Sequence, residues 1–334
     1  MTRVTIIAEA GVNHNGDLNL AKSLVDVALE AGADYVKFQS FKADKLVRKD
    51  TDKAKYQSDN TGSNETQYEM LKKLELTDDM YKEIFNYGRG KGISVISTAF
   101  DEESAKMLNR MGQEVFKIPS GEITNLPLLR TIGNFRKDVF LSTGMANLEE
   151  IENAIQVLEK EGVDRTRVTV LHCTSSYPVP ISDVNLLAMC EMSKILRVPV
   201  GYSDHSLGIS VAIGAAALGA SVIEKHFTLD KYLPGPDHKA SLDPDELKEL
   251  VSAIRLIEDA LGSKEKKITE SEKWNVDLIR KSIVAKRKIK KGEPFTVENL
   301  TTKRPARGIS PMMWDSLLGK ISRREYEVDE FIEL

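Results

Sequence analysis

Cysteine, aromatic residues and long hydrophobic runs are scarce in this chain of 334 residues, which has two cysteines and 6% aromatic side chains. Cys173 and Cys190 form no CxxC pair, so a reducing cytosolic compartment fits best. No apolar run approaches the roughly 18 residues that a bilayer span requires. The first residues, MTRVTIIAEAG, lack the apolar segment and cleavage site of a signal peptide. We therefore expect a cytoplasmic protein without a membrane partner.

An excess of positive charge is also missing, because the formal net charge is −4. This balance gives no general attraction to nucleic acid or to an anionic membrane. A basic cluster near the C-terminus (286–291, Lys303, Arg304 and Arg307) lacks the interleaved aromatic residues of a nucleic-acid surface, so we expect no such partner. Any anionic substrate must therefore be held by local cations.

Short β-rich apolar runs alternate with amphipathic stretches over residues 1–262, which is the pattern of βα units. Eight runs are predicted as strands: 4–8, 34–39, 93–98, 115–118, 139–143, 168–173, 198–203 and 221–226. Helix-capping residues, Asp17, Asn147 and Asp243, precede amphipathic stretches between or after them. Eight such units in this length predict an α/β fold, a (β/α)₈ TIM barrel. A doubly wound open sheet is the alternative.

Two kinds of segment depart from this alternation. Residues 44–76 form a long polar excursion after the second strand, which indicates a substrate lid or specificity loop, or else surface decoration. Residues 263–280 are highly charged and are predicted as a linker. Residues 281–334 predict a small β-rich domain, which is marginally stable alone and is expected to dock on another surface.

His205 and His226 each close a strand-like run, and a stretch rich in alanine and glycine separates the runs. If the strands are parallel neighbours, both imidazoles lie at the end of the barrel where such enzymes keep their chemistry. The matched pair therefore predicts half of a metal site, completed by oxygen ligands from water and substrate, for Mn²⁺, Fe²⁺, Co²⁺ or Zn²⁺. The alternative is that each histidine packs and hydrogen-bonds at a strand end.

Polar residues follow all eight predicted strands, which is more than core packing needs and indicates a cavity that holds a ligand. Cations and hydroxyls that suit phosphate and carboxylate oxygens are found at Lys37, Lys117, Thr98, Ser120, Ser142 and Ser203. The rival role for a lysine is that of a Schiff-base nucleophile.

Three carboxylates also follow strands. Glu9 and Glu122 could transfer protons, hydrogen-bond sugar hydroxyls or balance charge. The loop 233–239, rich in proline and glycine, would present Asp237 over the cavity, unless Asp237 is only a turn residue.

The whole chain resembles the sialic acid synthase family, the bacterial nonulosonic acid synthases that condense phosphoenolpyruvate with an N-acetylated hexosamine. The motifs that carry the resemblance are AEAGVNHNGD (8–17), VKFQSFKADKL (36–46), FKIPSGEITNLP (116–127), LSTGMA (141–146), LHCTSSYPVP (171–180), GYSDHSLG (201–208), IEKHFTLD (223–230), GPDHKASL (235–242) and LTTKRPARGIS (300–310). The resemblance implies a TIM barrel, a C-terminal antifreeze-like (SAF) domain at 281–334 and a domain-swapped homodimer.

The resemblance also implies roles for individual residues. His205 and His226 would be the metal ligands, for Mn²⁺ first and Mg²⁺ or Co²⁺ as alternatives. The phosphoenolpyruvate contacts would be Lys37, Thr98, Lys117, Ser120, Ser142, Ser203 and also Ser175, where some relatives have asparagine. The amino-sugar contacts would be Gln39, Glu122, Tyr177, Asp237 and an Arg304 that reaches the site of the partner subunit. Glu9 would lie near the metal and the aldehyde, and Glu9 and Glu122 would be the catalytic proton-transfer groups.

The reaction that follows is a metal-assisted condensation. C3 of phosphoenolpyruvate attacks the open-chain sugar aldehyde, water captures C2, and phosphate leaves by C–O cleavage. The sequence favours N-acetylmannosamine, giving N-acetylneuraminate, over 2,4-diacetamido-2,4,6-trideoxymannose, giving N,N'-diacetyllegionaminate. More remote alternatives are another barrel aldolase or 2-keto acid synthase, and a non-enzymatic sugar- or ice-binding protein.

Overall fold

The computed structural model describes residues 3–62 and 64–333. The chain divides into two compact units, one ending at Gly262 and the other beginning at Ser263. No helix in these described ranges is both long and apolar enough to cross a bilayer.

In the described part of the first unit, eight parallel strands close into a barrel in sequence order, with the last strand paired to the first. They are β1 (Thr5–Gly11), β2 (Tyr35–Ser40), β3 (Ser94–Ala99), β4 (Val115–Ile118), β5 (Asp138–Ser142), β6 (Val168–His172), β7 (Val200–Asp204) and β8 (Val222–His226). The predicted TIM barrel is therefore confirmed. β1 continues to Gly11, past its predicted end at residue 8, through an irregularity between Glu9 and Gly11 in its pairing with β2.

Helices connect and surround these strands. They are α1 (Leu18–Ala31), α2 (Ala43–Leu46), α3 (Lys55–Thr61), α4 (Gln67–Leu74), α5 (Asp78–Lys91), α6 (Glu102–Arg110), α7 (Leu126–Gly133), α8 (Leu148–Glu161), α9 (Leu186–Leu196), α10 (Ser210–Ala217) and α11 (Pro244–Leu261). The side chains of Asp17, Asn147 and Asp243 accept hydrogen bonds from the first turns of α1, α8 and α11, so the three predicted helix starts are confirmed.

An apolar cluster fills the lower half of the barrel interior, near the amino ends of the strands. Its buried members are Ile7, Ile96, Val115, Phe140, Leu171 and Val222. A larger cluster packs the outer faces of the strands against the surrounding helices. Because side chains fill the barrel interior near the amino end, we expect the functional site at the carboxyl end.

The excursion at 44–76 carries helical structure rather than one irregular loop, namely parts of α2 together with α3 and α4. Met70, Leu71 and Leu74 of α4 pack in a separate apolar cluster with Val12 and Phe41, which follow β1 and β2. The excursion therefore has its own small core at the carboxyl end of the barrel, which simple surface decoration would not require.

The second unit contains α12 (Glu270–Ile279), β9 (Ser282–Ala285), β10 (Leu300–Lys303) and α13 (Trp314–Leu317). The strands β9 and β10 pair antiparallel. The core of this unit is formed by Ile283, Ala285, Ile289, Phe295, Leu300, Leu317, Tyr326 and Ile332. The segment predicted as a linker thus includes a helix, whose start Thr269 shares a capping box with Glu272.

Candidate active site

A cavity of about 350 Å³ opens at the carboxyl ends of the barrel strands. This volume is within the usual range for a small-molecule site. The predicted site residues of the barrel all line it: Glu9, Lys37, Gln39, Thr98, Lys117, Ser120, Glu122, Ser142, Ser175, Tyr177, Ser203, His205, His226 and Asp237. The fold thus brings together residues that are more than two hundred positions apart in the chain.

Strand periodicity explains how the polar side chains enter the cavity. Residues two apart on a strand point to the same face, so the residue that follows an inward apolar side chain by two positions also points inward. The strands place Glu9 after Ile7, Lys37 after Tyr35, Thr98 after Ile96, Lys117 after Val115, Ser142 after Phe140 and Glu224 after Val222. A polar layer therefore lies directly above the apolar floor of the barrel.

Lys37 is the centre of one buried polar group. Its Nζ lies 2.9 Å from Oε2 of Glu9 and donates to Oγ1 of Thr98 at 3.0 Å. Gln39 donates through Nε2 to the other oxygen of Glu9 at 3.0 Å. Burial opposes the charge of Lys37, but the carboxylates of Glu224 and Glu9 outweigh it and raise the pKa of the lysine. Lys37 therefore stays protonated in the buried site.

Glu224 is the centre of a second buried group, and sequence reasoning missed its importance. Its carboxylate accepts hydrogen bonds from Nζ of Lys117 at 2.7 and 2.8 Å and from Oγ of Ser203 at 3.0 Å. Although burial favours the neutral acid, Lys117 and Lys37 dominate and lower the pKa of Glu224. The signal was present in the sequence, because Glu224 precedes His226 by two positions on one strand and must share its face.

For two other groups of this layer, burial outweighs the neighbouring opposite charges and decides the direction of the pKa shift. It raises the pKa of the Glu9 carboxyl, despite the neighbouring Lys37, and lowers the pKa of the Lys117 ammonium, despite Glu224. Both pKa values thus move toward neutral pH, where a group exchanges protons with a ligand more readily.

The two histidines present neutral nitrogen atoms at the same cavity. Burial lowers the pKa of His205 to about 4 and that of His226 well below its usual value. Nδ1 of His205 lies 2.7 Å from the carbonyl oxygen of Thr174, so this nitrogen donates and Nε2 remains as the electron-pair donor. The ring centroids of the two histidines are 5.9 Å apart.

His226 adds an unpaired buried atom, because its Nδ1 has no hydrogen-bond partner among the described residues. A Cβ on Gly11 would lie only 3.2 Å from the ring, and the φ of Gly11 is +54°, so glycine fits best beside this imidazole. Within residues 3–62 and 64–333, no group of three or more His, Cys, Asp or Glu could hold a metal. The two imidazoles are the nitrogen donors at this point, and a metal bound here would need oxygen atoms of substrate and water as its other ligands.

The ring of Tyr177 packs against both histidines. The ring centroid of Tyr177 lies 4.1 Å from that of His205 and 5.8 Å from that of His226. The ring centroid of Tyr56, from α3 in the excursion, lies 5.2 Å from that of Tyr177. Next to them, burial and then the charge of Glu9 raise the pKa of Asp237 to about 7. This side of the cavity thus combines flat apolar faces with one carboxyl that titrates near neutrality.

Hydroxyl groups gather around Gly144, in the loop after β5. The backbone N–H of Gly144 donates to Oγ of Ser120 at 2.9 Å, and Ser120 lies 3.2 Å from Sγ of Cys173. A Cβ on Gly144 would be 2.3 Å from Oγ of Ser175, which real structures do not tolerate. The absence of a side chain at this position lets the hydroxyls approach one another closely.

Glu122 and Arg304 are the two remaining predicted site residues. Glu122 is half-buried at the cavity edge, and its carboxylate accepts a hydrogen bond from Nδ2 of Asn125 at 2.6 Å. Arg304 belongs to the second unit, where its side chain is exposed. The excursion adds lining residues that the sequence did not single out, among them Leu46, Val47, Tyr56, Gln57, Gln67 and Met70.

Comparisons with known proteins agree over both units. The model of the NeuB family matches residues 24–266, and that of the SAF domain matches residues 280–332. The N,N'-diacetyllegionaminic acid synthase of Campylobacter jejuni is 54% identical over 99% of this chain and 99% of its own length. The enzyme of the same name from Legionella pneumophila is 48% identical over 94% of this chain and 89% of its own.

A solved structure gives the same result for the fold. The N-acetylneuraminic acid synthetase of Leptospira borgpetersenii, crystallised with citrate, superimposes with a TM-score of 0.72 at 35% identity, covering 82% of this chain and 90% of that one. The family match spans more than half of the chain, and the relatives cover nearly all of it. The chain therefore belongs to the NeuB family of synthases and carries a C-terminal SAF domain.

Proposed function

We propose that this protein condenses phosphoenolpyruvate with 2,4-diacetamido-2,4,6-trideoxymannose and water, giving N,N'-diacetyllegionaminate and phosphate. The choice of sugar rests on the two relatives at 54% and 48% identity, both named for this product. It replaces the sequence-based preference for N-acetylmannosamine. One observation supports the reaction type. A single cavity contains two buried lysines, clustered hydroxyls and two histidines whose pKa values are lowered.

Phosphoenolpyruvate is assigned to the lysines and hydroxyls. Lys37 and Lys117 are each 3% exposed, and a buried cation attracts an anion much more strongly than a solvated one does. The hydroxyls that would complete the phosphate and carboxylate shell belong to Thr98, Ser120, Ser142, Ser175 and Ser203. The Schiff-base role is less favourable for Lys37, whose pKa is raised, because a nucleophilic amine must be neutral.

His205 and His226 would hold a divalent metal, for which Mn²⁺ is our first choice and Mg²⁺ or Co²⁺ are the alternatives. When bound there, the ion supplies a Lewis acid for the aldehyde oxygen of the open-chain sugar. The bond from Nδ1 of His205 to the Thr174 carbonyl would fix the tautomer of this ligand.

The amino sugar is assigned to Gln39, Tyr177 and Asp237, which would place its aldehyde carbon against C3 of phosphoenolpyruvate. The C2=C3 electron pair then forms the new C–C bond, and water adds to the cationic C2. One proton goes to the aldehyde oxygen and one leaves the attacking water, and we assign these transfers to Glu9 and Glu122. In the collapse of the adduct the C2 hydroxyl becomes the keto group and gives its proton to the leaving phosphate, while the bond from C2 to the bridging oxygen breaks, so phosphate leaves with that oxygen.

The proposal includes a homodimer in which Arg304 contributes to the site of the partner subunit. It is supported by the motif around Lys303 and Pro305 and by the small core of the second unit, which favours docking on a larger body. Light scattering would measure the oligomeric state. Mixing an Arg304→Ala subunit with a Lys117→Ala subunit should restore about a quarter to a half of the activity only if the sites are shared.

The experiment that tests the reaction incubates the purified full-length protein with Mn²⁺, phosphoenolpyruvate and each of the two sugars. We expect phosphate release and a product of the mass of N,N'-diacetyllegionaminate, with the higher kcat/KM on the diacetamido sugar and loss of turnover on adding EDTA. With ¹⁸O in the bridging position, the label should appear in phosphate. Turnover of N-acetylmannosamine alone would overturn the choice of sugar, and turnover of neither sugar would overturn the proposal.

The metal assignment has a readout besides turnover. His205→Ala should lose Mn²⁺ binding in isothermal titration calorimetry without phosphoenolpyruvate. His172→Ala is the matched control, because Nε2 of His172 binds the carbonyl of Val184 and does not line the cavity. Unchanged Mn²⁺ affinity in His205→Ala would refute the assignment.

A further inference from the structure

The cavity is divided into a polar and an apolar side. Serine hydroxyls come from the loops after β4 and β6 and from the end of β5, and the histidines lie directly after β7 and at the end of β8. The opposite side, which we call the apolar wall, consists of Val12, Phe41, Leu46, Val47, Met70 and Leu74. These residues come from the loops after β1 and β2 and from the excursion with α2 and α4. None of the catalytic roles assigned above uses this wall.

The apolar wall is a built surface with fixed support. Met70 and Leu74 are buried in the cluster that also holds Val12 and Phe41. The backbone N–H of Ala43, at the start of α2, donates to Glu75 at 2.6 Å, and Tyr68 of α4 donates to Asp44 of α2 at 2.8 Å. The two helices are therefore tied together, so Leu46 and Val47 are held in place at the end of α2.

No cation belongs to the apolar wall. Among the described residues that line the cavity, the lysines are Lys37 and Lys117, both in the polar layer and both ion-paired with glutamates. The polar neighbours of the wall are Tyr56, Gln57 and Gln67, which are neutral. A phosphate or a charged group on the sugar would lose its hydration there without gaining a counter-charge.

The two candidate sugars differ in how many apolar groups they would present to the apolar wall. If the aldehyde lies at the histidines and phosphoenolpyruvate lies on the serine side, the far carbons of the sugar must extend toward the apolar wall. The diacetamido sugar has three methyl groups, two on its acetamides and one at C6. N-acetylmannosamine has one methyl group and ends in a hydroxymethyl group, which would leave a hydroxyl against carbon atoms.

We infer that the apolar wall is the specificity determinant of this enzyme and selects the sugar whose C6 is a methyl group. The inference rests on the proposed function and adds the residues that make the choice. The two C6 groups differ by one hydroxyl, and a hydrophobic pocket can discriminate against an added hydroxyl by up to about 100-fold in kcat/KM. Leu46 and Val47 are the residues to vary, because they are only partly buried and lie at the end of a short helix.

The test compares two sugars that differ at one position, 2-acetamido-2,6-dideoxymannose and N-acetylmannosamine, alongside the diacetamido sugar. Leu46→Asn, and the nearly isosteric Val47→Thr as a milder variant, are assayed with phosphoenolpyruvate and Mn²⁺. We expect the ratio of kcat/KM for the 6-deoxy sugar over N-acetylmannosamine to fall by about 10-fold in Leu46→Asn. Leu256→Asn on α11, where Leu256 is 68% exposed, should leave the ratio unchanged.

An unchanged ratio in both wall variants would overturn the inference. If kcat/KM falls equally on both sugars, so that the ratio stays the same, the wall only supports the fold. The wild-type enzyme separates this question from the proposed function. If wild type prefers N-acetylmannosamine to the diacetamido sugar, the proposed function fails, whereas the change of ratio between wild type and Leu46→Asn still reports on the wall.

Discussion

The Nζ atom of Lys117 lies 2.7 and 2.8 Å from the two carboxylate oxygens of Glu224, and both side chains are buried. This pair joins β4 to β8 across the barrel mouth. Replacing one partner of a buried ion pair leaves the other charge without compensation, which typically costs about 3–5 kcal/mol. The pair therefore holds a cation ready for an anion but makes the site depend on both partners.

We expect Glu224→Gln to lower the free energy of unfolding by about 3 kcal/mol or more, because Lys117 would remain buried without a counter-ion. Phosphoenolpyruvate should raise the melting temperature of this variant more than that of wild type, since its anionic groups would replace the lost carboxylate. Urea unfolding and melting curves with and without phosphoenolpyruvate measure both effects.

The control for this prediction is Glu83→Gln, which removes an exposed partner of Lys22 and should change stability by about 1 kcal/mol at most. If Glu224→Gln is as stable as the control, the buried pair contributes little, and the electrostatic argument for Lys117 is wrong.

Gly144 supplies a second prediction, because a methyl group there would meet Oγ of Ser175 at 2.3 Å and Oγ of Ser120 at 2.9 Å. Gly144→Ala must displace at least one of these hydroxyls. We expect KM for phosphoenolpyruvate to rise by about 10-fold or more, since displacements near 1 Å in a binding site have effects of this size. Steady-state kinetics with the sugar held saturating measures it.

Gly90 on α5 is the matched position, because a Cβ there would have no atom within 4 Å. Gly90→Ala should leave KM unchanged and stabilise the helix slightly. A Gly144→Ala enzyme with wild-type KM would mean that the serine hydroxyls do not bind phosphoenolpyruvate.

The site could be predicted from the sequence wherever it depends on strand periodicity. Lys37, Thr98, Lys117 and Ser142 were found because inward and outward positions alternate, and each stands at a strand end. Glu224 follows the same rule, but its role depends on Lys117, more than a hundred residues away, and a single sequence does not show such pairings.

The structure of the excursion and the identity of the sugar are harder to predict from the sequence. Lysine and glutamate residues surround Met70, Leu71 and Leu74 in sequence, so the segment looked polar, although these three side chains form its core. The sequence does not decide between the two sugars, because Gln39, Tyr177 and Asp237 offer polar contacts that suit either substrate. The apolar wall, which could distinguish them, exists only when distant loops are brought together.

Stability should depend on pH through His14, whose pKa is lowered by burial to about 4 from a usual value of 6.5. The titratable groups that act on it are Asp17 and His238. Since the unfolded chain binds a proton below pH 6.5 and the folded protein resists it until about pH 4, stability falls as pH decreases through this window. The expected contribution between pH 7.5 and 5 is about 2 kcal/mol.

Urea unfolding at the two pH values checks this prediction in wild type and in His14→Gln, which has no titrating ring. The variant should lose about 2 kcal/mol less on acidification than wild type does. His238, whose pKa burial also lowers to about 4, contributes to both proteins and cancels in the difference. An identical pH dependence in the two proteins would contradict a neutral buried His14.

Asn60 gives the last prediction, because it links the excursion to the loop that carries Asp237. Its Nδ2 donates to the carbonyl oxygen of Pro236 at 2.6 Å, and Tyr56 on the same helix lies against Tyr177. Asn60→Ala should remove one hydrogen bond, typically worth about 1 kcal/mol, that holds α3 against this loop. We therefore expect KM for the sugar to rise about 5-fold, while KM for phosphoenolpyruvate stays unchanged, because the serine side is not touched.

Asn134→Ala is the matched control, since Nδ2 of Asn134 makes the same kind of bond to the carbonyl of Arg130 on the exposed end of α7. It should leave both KM values unaltered. A parallel rise of both KM values in Asn60→Ala would indicate that the helix orders the whole cavity, and no rise in either would show that α3 does not close over the sugar. The split between the two substrates thus decides whether the excursion acts as a lid on the sugar side alone.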